Sequence, residues 1–261
     1  MRRSLGRMSG VTGEPLDVRI SGSGVSLLLV HGGVNRDATW RAQAPLAERW
    51  RLVEPARRGY PPSPATERQD WEVDARDVGD LLAGQRAHCI GFSYGGVGLA
   101  VAAATDPTRL LSLTLIEPPL FAVAADRPAV REFMELAQDY TGEDPAARER
   151  AREAFEAVAR IRFPDDPEQE HAFAEARRLA PGLRLPGEAR PDLAAIASAG
   201  VPSLVVSGDH HPAIDAVCDA LAAELGAERV RLPGRGHAVQ HVPGFNDRLE
   251  RFLLEAAERN R

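Results

Sequence analysis

The residues best placed by type and spacing to do chemistry are Gly91-Phe92-Ser93-Tyr94-Gly95. They follow an apolar run, Arg86 to Ile90, and open an Ala/Val-rich helical one, Val97 to Ala104. Glycines on both sides of a serine permit a sharp strand-to-helix turn, which lifts the hydroxyl out of a sheet at a strained backbone angle. A serine hydroxyl is a poor nucleophile at neutral pH, so it needs a base; an imidazole of ordinary pKa, about 6.5, can accept its proton during attack. Gly234-Arg235-Gly236-His237 offers one, on a loop just past the short strand-like run Arg229 to Leu232. Far upstream, Val25 to Val30 reads as a buried strand that ends in His31-Gly32-Gly33. Small residues there let a backbone N–H approach a developing oxyanion.

These groups need a sheet to bring them together. Strand-like runs recur at Leu16 to Ile20, Val25 to Val30, Arg51 to Glu54, Ala87 to Ile90, Leu111 to Ile116, Pro202 to Ser207 and Arg229 to Leu232. Most are short and continuously apolar rather than alternating, which suits a sheet covered on both faces. Thr39 to Trp50, Asp70 to Leu82, Tyr94 to Thr105, Ala213 to Leu225 and Phe245 to Ala257 carry apolar residues at spacings of three and four, a helical pattern. Alternating strands and helices predict an α/β fold around a mainly parallel sheet.

The interval 118–200 breaks this rhythm. It holds arginine- and glutamate-rich helical stretches at Pro128 to Tyr140, Pro145 to Phe163, Pro167 to Leu179 and Glu188 to Ala199, punctuated by prolines at 164, 167, 181, 186 and 191. The expected organisation is a core made of residues 1–117 and 201–261, with 118–200 as an inserted helical cap. Such a lid would close over Ser93 and carry most of the specificity. Phe121, Phe133, Tyr140, Phe155, Phe163 and Phe173 fall in this interval. Helical spacing predicts that several pack the cap against the core, while together they favour an apolar ligand.

With these motifs in this order, the chain resembles the α/β-hydrolase superfamily from about Leu16 to Leu254, most of all its capped esterase and C–C bond hydrolase branch. The resemblance implies a mainly parallel eight-stranded sheet with helices on both faces. It also implies Ser93 as nucleophile, His237 as base, and the N–H groups of Gly33 and Tyr94 as an oxyanion hole, with no cofactor and no metal. In relatives the histidine matching His31 supports the oxyanion loop.

The acid that orients His237 departs from the common pattern. Many relatives end a strand in Gly-x-x-Asp-Pro, whereas this chain reads Gly208-Asp209-His210-His211-Pro212, with His211 in the aspartate position. Some dehalogenase-like relatives carry the acid where Glu117 stands, after what would be the sixth main strand, Leu111 to Ile116. Glu117 is therefore the first candidate and Asp209 the alternative, with a Ser–His dyad left open. In the loop after Glu54, where relatives read Asp-x-Arg-Gly-x-Gly-x-Ser, this chain has Ala56-Arg57-Arg58-Gly59-Tyr60-Pro61-Pro62-Ser63. The turn is expected to survive, with Arg57 and Arg58 fastening the loop to neighbouring carbonyls. His241 is expected to be structural.

The whole chain sets wider bounds. With 261 residues, 44% hydrophobic and 27% charged, it can bury one large core with an insertion. The net charge is −6, and all 32 basic residues are arginine. That pattern looks compositional rather than a basic patch for nucleic acid. Met1 to Gly13 lacks the apolar run of a signal peptide, and no segment approaches a bilayer span, so the expectation is a cytoplasmic protein with no membrane partner. Cys89 and Cys218 read as small buried hydrophobes, and Cys89 beside His88 is too little for a metal site.

The resulting expectation is a cofactor-independent serine hydrolase that forms an acyl-enzyme from a small, largely apolar ester, thioester, lactone or activated ketone. Ser93 argues against aspartate-nucleophile routes. Two alternatives keep the fold: a lyase, cyclase or cofactor-free oxygenase that uses His237 as base, and a ligand-binding receptor.

Overall fold

The computed structural model describes residues 14–159 and 167–259; the expectations for Met1 to Gly13 and for Phe163 lie outside the described residues. In chain order the elements are β1 (Val18–Ser21), β2 (Ser26–Val30), α1 (Arg36–Trp40), a 3₁₀ helix (Arg41–Glu48), β3 (Arg51–Pro55), α2 (Trp71–Leu82), β4 (Ala87–Phe92), α3 (Ser93–Thr105) and β5 (Leu110–Ile116). Then follow α4 (Pro128–Thr141), α5 (Pro145–Ala159), α6 (Pro167–Leu179), α7 (Leu193–Ser198), β6 (Ser203–Ser207), α8 (Pro212–Leu225), β7 (Glu228–Arg231) and α9 (Phe245–Arg259).

The strands form one sheet in the order β1-β3-β2-β4-β5-β6-β7. Among the described residues only β1 runs antiparallel, against β3; every other pairing is parallel. Among the described residues the sheet therefore has seven strands, not the expected eight. Each of the seven strand-like runs of the sequence makes one strand. Glu117 accordingly follows the fifth strand in chain order rather than the sixth.

Both faces of the sheet are covered, and the two-residue period of a strand divides its side chains between them. Leu28, Val30, Cys89, Leu113, Leu115 and Val205 point to one face, where they pack with Trp71 and Val78 of α2, Leu99 of α3 and Val217 and Leu221 of α8. Leu27, Leu29, Ile90, Ile116, Leu204 and Val206 point to the other, against Trp40, Trp50 and the α9 residues Leu249, Phe252 and Leu253. Central strands with no solvated face read as continuous apolar runs for this reason. Cys89 and Cys218 are both buried among hydrophobic side chains, as their surroundings in the sequence predict.

Two helices are shorter than their periodicity suggests. The stretch Thr39 to Trp50 divides into α1 and a 3₁₀ helix, because Pro45 lacks the N–H that an α-helical ladder needs. Glu188 to Ala199 yields only α7, which starts after Pro191 with the Asp192 side chain accepting from the Ala195 N–H at 3.0 Å.

What the fold does for chemistry happens where strands end. Among the described residues Ser93, Glu117 and Asp209 are the non-glycine residues with positive φ, at 50°, 45° and 50°, and each lies at or just past the carboxyl end of β4, β5 or β6. That region is costly for a residue with a Cβ, so the surrounding structure must impose it. Glycine makes the turn at Ser93 possible by close approach rather than by its own φ. A Cβ on Gly91 would lie 2.6 Å from the Gly96 Cα, and one on Gly95 would lie 2.1 Å from the His31 carbonyl oxygen. Strand β2 and helix α3 thus meet backbone to backbone. Gly95→Ala should cost about 1–3 kcal/mol in a denaturation experiment; an unchanged midpoint would show that the two elements do not need this contact.

Candidate active site

Residues from four strand ends converge beside the first turn of α3. The Ser93 hydroxyl oxygen lies 2.9 Å from Nε2 of His237, which is carried on the loop after β7. The Nδ1 of the same ring lies 2.5 Å from Oε2 of Glu117, on the loop after β5. Glu117 is fully buried. Its other oxygen, Oε1, accepts the Gly208 N–H at 2.5 Å. Burial pushes the Glu117 carboxyl up, but contacts from His210 and His237 outweigh it and hold the group below its ordinary value. It is therefore a carboxylate at neutral pH, which fixes the proton of His237 on Nδ1 and leaves Nε2 as the acceptor facing Ser93. The Phe92 ring packs 4.8 Å from the imidazole.

Of the two carboxylates the sequence offers, only Glu117 reaches His237. Asp209 turns outward: its side chain is 58% exposed and its nearest cation is Arg231, 3.8 Å away. His211, in the position where relatives place an aspartate, begins α8 by accepting from the Ala213 N–H through Nδ1 at 3.3 Å, and its ring lies 5.2 Å from Phe133.

On the other side of Ser93 stands the His31-Gly32-Gly33 loop. A Cβ on Gly32 would lie 2.9 Å from the Ser93 Cβ, whereas one on Gly33 would meet nothing. The loop thus lies against the serine with open space beside Gly33. Tyr94 is the second residue of α3, where N–H groups have no partner within the helix. His31 is fully buried and holds this loop from behind. Its Nδ1 donates to the Val34 and Gly32 carbonyls at 2.8 and 3.0 Å, and its Nε2 accepts the Arg57 N–H at 2.8 Å.

Arg57 completes the support. Its guanidinium, 2% exposed, donates to the Gly32 carbonyl at 2.7 Å, to Gln69 at 2.9 Å and to Asp74 at 2.7 Å. Arg57 thus fastens the loop to a carbonyl as expected, while Arg58 pairs with Asp77 at 2.8 Å and also reaches the Glu14 carbonyl. The turn survives the altered motif: Tyr60 N–H donates to the Arg57 carbonyl and Ser63 N–H to the Tyr60 carbonyl, both at 3.0 Å.

The segment between β5 and β6 is tied down across this end of the sheet. The Tyr94 hydroxyl donates to the Arg184 carbonyl at 2.8 Å, and Trp71 Nε1 donates to the Leu185 carbonyl at 3.2 Å. The Arg184 guanidinium stacks 4.0 Å above the Trp71 ring and pairs with Glu72 at 2.7 Å. Phe121 and Phe133, 5.3 Å apart, belong to the core cluster that includes α8.

Asp74, Gln69 and His210 are the neighbours that sequence reading missed. Nothing in their spacing from Ser93 or His237 signals a contact. Glu117, His210 and His237 each bring one ligand-type atom within 4.8 Å of the others, a grouping a cation could use. Both nitrogens of His237 are already engaged, by Ser93 and by Glu117, so the cluster has the form of a hydrogen-bonded relay. Among the described residues no helix is long and apolar enough to cross a membrane.

A parallel sheet with a serine at a strand-to-helix turn, a histidine after the last strand and a buried acid between them defines a class. The chain belongs to the alpha/beta hydrolase family, which matches it over residues 27–248. It is 33% identical over 113 residues to the pimeloyl-[acyl-carrier protein] methyl ester esterase of Aeromonas salmonicida (strain A449). That match covers 42% of this chain and 44% of the relative, so the chain spans less than half of that protein's length. Among solved structures it is similar to an alpha/beta hydrolase from Sphaerobacter thermophilus DSM 20745, with a TM-score of 0.65 and 25% identity over 91% of this chain and 95% of that one. It is also similar to a carboxylesterase from Bacillus subtilis, with a TM-score of 0.66 and 20% identity over 91% of this chain and 87% of the other.

Burial gives the His31 support a pH signature. Burial first, and then the nearby Arg57 charge, lower the His31 pKa from 6.5 to about 3. Between those values the unfolded chain binds a proton that the folded chain does not. Stability is therefore lost as pH falls from 6.5 toward 3, by up to about 1.4 kcal/mol per pH unit for this group. Burial lowers His88 in the same direction, to about 4. Urea denaturation of the protein and of His31→Gln at several pH values should show a shallower slope in the variant; equal slopes would mean that His31 is not held neutral.

Proposed function

We propose that this protein is a cofactor-independent serine hydrolase that acts through an acyl-enzyme on a small, largely apolar carboxylic ester or thioester. The observation that carries the reading is the continuous relay from Ser93 through both nitrogens of His237 to the buried Glu117 carboxylate. In the proposed reaction His237 Nε2 takes the Ser93 proton as the hydroxyl oxygen attacks the substrate carbonyl. The imidazolium so formed is stabilised by Glu117 across Nδ1, at a site where little water screens the pair. The Gly33 and Tyr94 N–H groups receive the negative charge that develops on the carbonyl oxygen. Collapse expels the alkoxide or thiolate, which takes the proton from His237. A water then attacks the acyl-serine by the same route, releasing the acid and restoring Ser93.

An ester substrate is supported by the activities named for relatives, a methyl ester esterase and a carboxylesterase. A small substrate is supported by the cover over the site. In this reading residues 118–200 form a lid above the core, and the Tyr94–Arg184 and Trp71–Leu185 bonds hold it across the strand ends. A lid fixed at these points admits small molecules more readily than polypeptides.

A fluorophosphonate probe and a panel of nitrophenyl esters test the reading. The protein should be labelled at Ser93 and turn over short acyl esters, while Ser93→Ala should lose labelling and on the order of 10⁴-fold or more in kcat. Labelling without turnover of any ester would move the reading to a lyase-like reaction or a ligand receptor. Glu117→Gln should lower kcat by about 10⁴-fold, because an amide cannot stabilise the imidazolium and favours the wrong tautomer. Asp209→Asn should stay within a few-fold of the parent, and the reverse ranking would reassign the acid.

A further inference from the structure

A glutamate has one more rotatable side-chain bond than an aspartate, and each free rotor adds an entropic cost to holding its carboxylate in one plane. Glu117 is nonetheless held so that Oε2 accepts a single hydrogen bond from the His237 Nδ1–H. The Gly208 N–H anchors Oε1 at one point. A second polar group faces the same oxygen: Nδ1 of His210, on the loop after β6, lies 3.2 Å from Oε1, with the His210 side chain only 3% exposed. Neither ring nitrogen of His210 has a well-aligned hydrogen-bond partner among the described residues.

The chemistry of that contact chooses the tautomer. A bare Nδ1 lone pair 3.2 Å from a carboxylate oxygen would be repelled by it, so the proton belongs on Nδ1, on the side of the ring nearest Oε1. The contact becomes a hydrogen bond when the ring turns so that this N–H faces Oε1. The other groups nearby do not compete for this role. The His211 ring faces Phe133, Asp209 faces Arg231, and the His237 ring centre is 6.3 Å from that of His210.

We propose that His210 is a positioning residue: its Nδ1–H and the Gly208 N–H together clamp Oε1 of Glu117, which keeps Oε2 directed at His237. The kinetic consequence rests on the serine-hydrolase reading above, while the clamp itself rests on the contact alone. Removing the donor should leave the carboxylate free to swing about its last bond and weaken its hold on the imidazole.

Two readouts on the parent protein, His210→Phe and His210→Asn test this. The first is the rate of fluorophosphonate labelling, and the second is the far-downfield NMR resonance of the His237 Nδ1 proton. Phenylalanine fills the ring's volume without a donor, and should slow labelling by about tenfold and broaden or abolish the resonance. Asparagine offers an amide N–H near the position of Nδ1 and should restore most of both, which a space-filling role would not allow. His210→Leu serves as the apolar arm if the phenylalanine variant does not fold. Parent-like labelling and resonance in the apolar variant, or no recovery with asparagine, would overturn the proposal. A parent protein that the probe does not label would instead refute the hydrolase reading, and the resonance would still decide whether His210 holds Glu117.

Discussion

A fully buried carboxylate must be satisfied on every side or it will neutralise, and Glu117 is such a group. His237 lies on one oxygen and the Gly208 N–H on the other. These partners come from the loops after β6 and β7, while Glu117 itself follows β5, so the carboxylate is satisfied only when the parallel sheet is assembled in register. Parallel strands end at a common edge, and the order β4-β5-β6-β7 places Ser93, Glu117, Gly208 and His237 along it in sequence. The sheet's register is thus the precondition of the relay, and the positive φ at Ser93 and Glu117 is local strain that this register sustains.

The opposite wall of the site is built on a second buried charge. Arg57 has its guanidinium shared among Asp74, Gln69 and the Gly32 carbonyl, while its backbone N–H fixes the ring of His31. Removing one member of such a buried pair typically costs about 3–5 kcal/mol, because the other is left uncompensated. The loop that bears Gly33 is therefore anchored by His31 and by the Arg57 guanidinium. Preorganisation of this kind matters because backbone donors stabilise an oxyanion only when they need not rearrange to meet it.

The segment between β5 and β6 joins the two walls. It leaves the core immediately after Glu117 and passes beside Tyr94 and Trp71, where backbone carbonyls of Arg184 and Leu185 accept their side-chain donors. Farther along the same segment, the Arg178 guanidinium donates to the Gly59 carbonyl at 2.8 Å and Leu179 packs on Ala56 and Tyr60, in the loop that carries Arg57. Changes in how this segment packs would therefore be felt at both the oxyanion loop and the nucleophile helix.

Much of this was legible in the residues themselves. Periodicity located all seven strands and most helices, because strands covered on two faces must be continuously apolar and helices must keep an apolar stripe. The Gly-x-Ser-x-Gly turn and the glycine-flanked His237 announced themselves because close backbone approach admits few other residues. The choice between Glu117 and Asp209 was not legible, since each ends a strand and only the direction taken by the backbone beyond it decides which carboxylate meets the imidazole. The contacts of His210, Asp74 and Gln69 were invisible for a similar reason: they join residues whose separation along the chain carries no periodic signal. The amino-acid order determined which local structures form and which groups could react, because those depend on neighbours within a turn or a strand. The tertiary structure alone decided which groups meet, because that depends on how strands far apart in the chain align at one edge of the sheet.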